Sequence, residues 1–173
     1  MAKLELDTAR FDAYLRRLAE LQHNCEPVLK ASVYEGARVA TDEMRKTIVA
    51  LPVHQKGAPG GVREYEKEAL LEGLGITPMS WDDDFLNVKL GFDGYYKPPE
   101  VELRAMRREM GSKERARREK GIPTVVVARS IESGTSFSQK VPFVRPTVNR
   151  VRRTVVAEMQ RELEKQIENR MKR

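Results

Sequence analysis

A single cysteine, two histidines and few aromatic residues restrict what this 173-residue chain can do. Cys25 has no second thiol to pair with, so no intrachain disulfide can form and a reducing compartment is the natural setting. Aromatic side chains make up 6% of the residues, and none are interleaved with the basic segments as a platform for stacking nucleobases. No apolar run approaches the roughly 20 residues that cross a bilayer, so no membrane contact is expected. The stretch MAKLELDTARFDAYL carries acidic residues and no apolar h-region, which is not the pattern of a secretory signal.

Motifs that carry chemistry are missing as well. His23 and Cys25 lie two apart, but there is no C-x-x-C or H-E-x-x-H, and a structural zinc needs four ligands. Cys25 therefore reads as a small buried hydrophobe. Asp82-Asp83-Asp84 lacks the alternating ligands, central glycine and terminal glutamate of a calcium loop, and reads as a solvated turn. Ser133 and Ser136 have no G-x-S-x-G around them. Gly57, Gly60 and Gly61 beside Lys56 match neither phosphate-loop spacing. Glu132 and Asp93 could be paired as acid and base, but a chain with 26 carboxylates offers many such pairs. No catalytic residue, metal or cofactor is expected.

What is present is charge. Apolar residues make up 40% and charged residues 34%, enough for a core under a heavily charged surface. The net charge of +6 is unevenly placed. Residues 97–121 hold nine basic and five acidic residues, and residues 145–173 hold nine and four. Such segments can contact nucleic acid or acidic protein surfaces, and Arg107, Arg108, Arg115, Arg117 and Arg118 form a candidate DNA- or partner-facing arm. The interspersed acidic residues favour the plainer reading of solvated helix faces.

Along the chain, Phe11, Tyr14, Leu15, Leu18 and Leu21 predict a helix over 8–22. A second helix is predicted from Asn24 or Pro27 to Val49, burying Leu29, Val33, Gly36/Ala37, Ala40, Met44 and Ile48. Its small mid-face residues invite another backbone. Leu51-Pro52 ends it, and 53–62 reads as a loop. A short helix over 63–72 turns Tyr65, Ala69 and Leu70 inward, and Ile76-Thr77-Pro78 starts an extended segment. After a turn at Trp81–Asp84, Leu86, Val88, Leu90 and Phe92 alternate as one half-buried strand, and Asp93-Gly94 turns it. Residues 97–121 read as a charged helical or flexible excursion. TVVVARSI at 124–131 has the propensity of a strand and the flanking Pro123 and Gly134 of a helix. The last helix is predicted from Pro146, with Val148, Val151, Val155, Met159, Leu163, Ile167 and Met171 as its apolar stripe. Steps of four advance 400°, so the stripe drifts by about 40° per step. Its first half is expected on this domain, and Met159, Leu163, Ile167 and Met171 are the candidate subunit interface.

The order of LGITP, GFDGY, ESGTS and PFVRP resembles the tail-component family of long-tailed bacteriophages, the tail completion or neck proteins similar in role to the minor tail protein Z of lambda-like phages. The likeness spans most of the chain. Ser133 stands where the family usually has an aromatic residue, and the arm over 97–121 is longer and more charged than the family's link. The resemblance implies a single α+β domain over 1–173, with long N-terminal and C-terminal helices on a small antiparallel sheet and the arm inserted. It implies a helix for TVVVARSI. It further implies a structural virion protein of the head–tail joint, not an enzyme, assembled in the host bacterial cytoplasm into a ring, with a hexamer as the natural size. Its partners would be a tail terminator or tail tube protein and head connector or stopper proteins, with non-specific contact to DNA in the lumen. Within that frame Glu132, Gly134, Thr135, Pro142, Phe143, Arg145 and Pro146 form a structural turn and helix lock. Gly134 would take a positive φ, Glu132 and Thr135 would bond turn amides, Phe143 would anchor the core and Pro146 would start the helix.

Overall fold

The computed structural model of this chain describes residues 25–54, 61–82, 85–97, 99–100, 121–135 and 139–172. The helix expected over 8–22, the loop tip at 55–60 and most of the charged arm lie outside these residues. The described part is α+β, with helices α1 (Cys25–Val49), α2 (Glu64–Gly73), α3 (Thr124–Ser133) and α4 (Val144–Met171). Strands β1 (Leu74–Ile76), β2 (Ser80–Asp82), β3 (Phe85–Asn87), β4 (Leu90–Phe92), β5 (Tyr95–Tyr96) and β6 (Ile122–Pro123) form three antiparallel pairs, not one small sheet.

α1 begins with Glu26 and Pro27 in its first turn, where an acidic side chain suits the helix dipole and a missing N–H costs nothing. Cys25 is exposed at the helix's first position, not buried. The buried face is Val28, Ser32, Gly36, Ala37, Thr41, Met44 and Ile48. Leu29, Val33 and Ala40, expected inside, are half-buried. The face is shifted because α4 lies directly on Ser32 and Gly36. Ser32 Oγ donates to the Met159 carbonyl at 2.7 Å, which satisfies a buried hydroxyl that hydrophobicity alone would place outside. Thr41 Oγ1 likewise donates to the Ala37 carbonyl at 2.7 Å. At the other end Lys67 Nζ donates to the carbonyls of Val49 (2.7 Å) and Leu51 (3.0 Å), which closes the helix with a cation at its negative end.

At Gly36 the two long helices pack tightly together. A Cβ there would collide with Met159 Cγ, lie 2.8 Å from its Sδ and lie 3.2 Å from Val155 Cγ1. Gly36→Ala should therefore destabilise by about 1 kcal/mol, as overpacking outweighs the helix propensity gained. In a Met159→Ala background the same change should be neutral or stabilising. A double-mutant cycle by urea denaturation reads the difference, and equal effects in both backgrounds would place the contact elsewhere.

The alternating stretch 86–92 is divided between two pairs. β1 pairs with β4 so that Ile76 faces Leu90, and β2 pairs with β3 so that Ser80 faces Asn87. Three residues, Thr77–Met79, thus lie opposite two, Val88 and Lys89. Pro78 has no N–H for the ladder, and the extra residue sits beside it. Thr77 closes the gap, donating its N–H to the Lys89 carbonyl at 2.8 Å and accepting the Lys89 N–H on Oγ1 at 3.0 Å. Trp81 and Asp82 are strand residues, and the reversal falls after them. The Trp81 indole donates to Glu26 Oε1 at 3.3 Å, which rests the hairpin on the start of α1.

TVVVARSI is helical. Thr124, Val127, Ala128 and Ile131 are buried at helical spacing, while Val125 and Val126 are exposed. The core joins Met44, Ile48 and Leu51 to Val62, Leu70, Leu74, Val127, Ile131 and Phe143, with Leu90 and Phe92 packed against it. It sits at the C-terminal end of α1. Beyond it α1 and α4 continue as an antiparallel pair.

Candidate functional site: a carboxylate clasp at the head of the last helix

The segment from Ile131 to Thr147 reverses the chain. α3 ends at Gly134, whose φ of 75° is natural only for glycine and whose N–H donates to the Ser130 carbonyl at 2.8 Å. Val141 N–H then donates to the Ile131 carbonyl at 2.8 Å and brings the returning chain back beside α3. Glu132 faces the start of α4. Its Oε2 accepts the N–H groups of Phe143 (2.6 Å) and Val144 (2.8 Å), and its Oε1 accepts that of Arg145 (3.2 Å).

These bonds account for the whole first turn. A helix begins with four amides that lack intrahelical partners. The Glu132 carboxylate takes three of them, and the next residue, Pro146, has no N–H to satisfy. α4 therefore starts at Val144, two residues before the expected start, with Pro146 inside its first turn. The negative carboxylate also opposes the positive end of the helix dipole. Burial by itself would raise the Glu132 pKa. The three backbone donors and the nearby Arg145 charge outweigh it and hold the carboxyl below its ordinary value.

Phe143 is 1% exposed and meets Phe92 edge to face, with ring centroids 6.1 Å apart. Pro142, Arg145 and Pro146 are exposed. Thr135 is also exposed, at a bridge position just past the Gly134 turn. One turn into α4, buried Thr147 ties the clasp to α1. Its Oγ1 lies 2.6 Å from the Phe143 carbonyl and 2.9 Å from Thr47 Oγ1. Thr47 also receives Arg150 Nη2 at 2.9 Å. Sequence patterning does not anticipate this threonine pair. Its only trace there is a polar residue just ahead of the apolar stripe.

The drifting stripe divides as follows. Val148 is exposed, Val151 is buried, and Val155, Met159, Leu163, Ile167 and Met171 are half-buried. Met159 packs on Gly36 of its own chain, so at least that member of the candidate subunit interface is engaged internally. Arg107, Arg108, Arg115, Arg117 and Arg118 lie outside the described residues. The ends of their segment are held together, since Tyr95 and Tyr96 pair with Pro123 and Ile122. Among the described residues no group of three or more His, Cys, Asp or Glu could hold a metal ion, and no helix is long and apolar enough to cross a membrane. No protein-family model, curated protein or solved structure is significantly similar to this chain.

Proposed function

We propose that this chain is a structural virion protein of the head–tail joint of a long-tailed bacteriophage, acting as a tail completion or neck component. Copies assemble into a ring, with six as the expected number. The ring bridges a tail tube or terminator protein to the head connector or stopper. The observation that carries this reading is a convergence in space. LGITP supplies β1, GFDGY supplies β4 and the turn into β5, ESGTS ends α3, and PFVRP opens α4. β1 pairs with β4, Phe92 of GFDGY touches Phe143 of PFVRP, and Glu132 of ESGTS clasps PFVRP. Pieces scattered from Leu74 to Pro146 form one junction, and that junction sets the angle of the longest helix. A module that fixes a long helix on a compact head suits assembly, and Leu163, Ile167 and Met171 on that helix remain the surface proposed for a neighbour.

Size-exclusion chromatography with light scattering tests the reading, on the protein alone and with a tail tube or connector protein. A discrete ring or a partner complex is expected. A monomer that binds DNA with steep salt dependence would overturn it in favour of a basic nucleic-acid-binding accessory protein. Deleting residues 162–173 should weaken assembly and leave the head folded, because the buried core lies entirely outside that segment. Loss of the head's cooperative unfolding would assign Leu163, Ile167 and Met171 to the fold instead.

A further inference from the structure

We infer that successive copies of this chain meet through two unlike charged faces, an acidic tyrosine-edged cleft beside α2 and an arginine-bearing flank of α4. The inference rests on the proposed association of copies and names the surfaces that make it. Most charges along the seam of the two long helices are matched within the chain. Arg38 pairs with Glu35 and Asp42, Lys46 and Arg150 with Glu43, and Lys165 with Glu162. Glu68, Glu72 and Asp93 make no ion pair among the described residues, nor do Arg152 and Arg153 on α4.

Glu68, Glu72 and Asp93 share one place. They line a cleft of about 410 Å³ together with Tyr65, Tyr95 and Lys97, the last being the single cation among its lining residues. Tyr95 is 73% exposed at its edge. Arg63 already lies over the Tyr65 ring, 5.8 Å from its centroid, and exposed Tyr95 beside the carboxylates suits a second guanidinium, which lies flat on an aromatic face and forks onto a carboxylate. Arg152 and Arg153 sit exposed on α4, where they offer such a group. Val148, Arg152 and Val156 follow one another at steps of four along a single flank, with Arg153 adjacent. Val148 and Val156 are 48% and 49% exposed, large for apolar side chains on an otherwise charged helix. Basic and apolar on one face, acidic and aromatic on the other, the two surfaces are complementary in kind. Because they are different surfaces, each copy that uses one keeps the other free. That is the heterologous contact that closes a ring or propagates a filament.

Charge reversal tests the assignment. Glu68→Lys/Glu72→Lys makes both faces basic, and Arg152→Glu/Arg153→Glu makes both acidic. All four positions are exposed, so circular dichroism melts should match the unaltered chain. Sedimentation equilibrium should show each variant alone associating at least about tenfold more weakly than the unaltered protein. An equimolar mixture should recover the assembly, since each variant restores an opposite-charge contact on both sides of the other. Full assembly of both variants alone would overturn these surfaces while leaving a ring standing. Folded, monomeric variants whose mixture does not assemble would also overturn the pairing. If the unaltered chain is itself a monomer at all concentrations, the assembly reading falls and this contact falls with it.

Discussion

Replacing Phe143 with alanine is expected to remove about 3–5 kcal/mol of stability. Among the described residues Phe143 is the largest fully buried side chain, 1% exposed, and stands between the returning chain and the core formed by Ile48, Leu70 and Val127. It also supplies the edge-to-face contact with Phe92 that ties β4 to the clasp. Removing it leaves a cavity where several elements meet, which the neighbours can collapse into only in part. Phe143→Leu, which keeps most of the volume, should cost much less. Urea unfolding followed by circular dichroism measures both. A loss under about 1 kcal/mol for the alanine variant would mean that Phe143 does not anchor the head.

Glu132→Ala should cost about 2 kcal/mol, because three amides lose a charged acceptor at once. Glu132→Gln keeps the shape and one acceptor oxygen, so it should cost less, and its more telling effect is on pH dependence. The folded-state pKa of Glu132 lies below its unfolded value. The carboxylate's contribution is therefore fully present above the ordinary Glu pKa of about 4.3 and is lost as pH falls through the lower folded value. Glu26, Glu35, Glu43 and Glu162 are lowered too, by side-chain bonds to cations or polar groups foremost, so the whole protein weakens in acid. The gap between the parent and Glu132→Gln isolates the clasp. It should be widest near neutral pH and narrow towards about pH 3. A gap that stays constant across that range would show that the charge is not what holds the helix start.

Part of the junction is legible in the sequence: Gly134 takes a positive φ and Phe143 is buried as expected, whereas Glu132 bonds the first amides of α4 and not the turn amides expected of it. ESGTS and PFVRP each carry their own turn chemistry, and a glutamate eleven residues before a phenylalanine needs only one reversal to reach its amides. The helix over Thr124–Ser133 is legible too, in the spacing of Thr124, Val127, Ala128 and Ile131, although Val125, Val126 and Val127 in succession pull the propensity towards strand. The misread features depend on distant partners. Ser32 is buried because the Met159 carbonyl of α4 accepts from its hydroxyl, and nothing within α1 announces that α4 will lie there. The division of 86–92 into two strands falls opposite Pro78, which sits in the link between β1 and β2.

The small β5–β6 pair has a consequence for how this protein can vary. It sets the Cα atoms of Tyr96 and Ile122 about 5 Å apart whatever lies between them. Gly121, with φ of 97° and its missing Cβ close to Tyr95 and Tyr96, makes that narrow neck feasible. The entropy of closing a loop between fixed ends rises only by about 0.6 kcal/mol per doubling of its length. The head is thus insulated from the size of the segment it carries. Change in the segment between Tyr96 and Ile122 that keeps Gly121 leaves this neck in place, and the neck acts as a graft point at which new specificity is added to an unchanged frame.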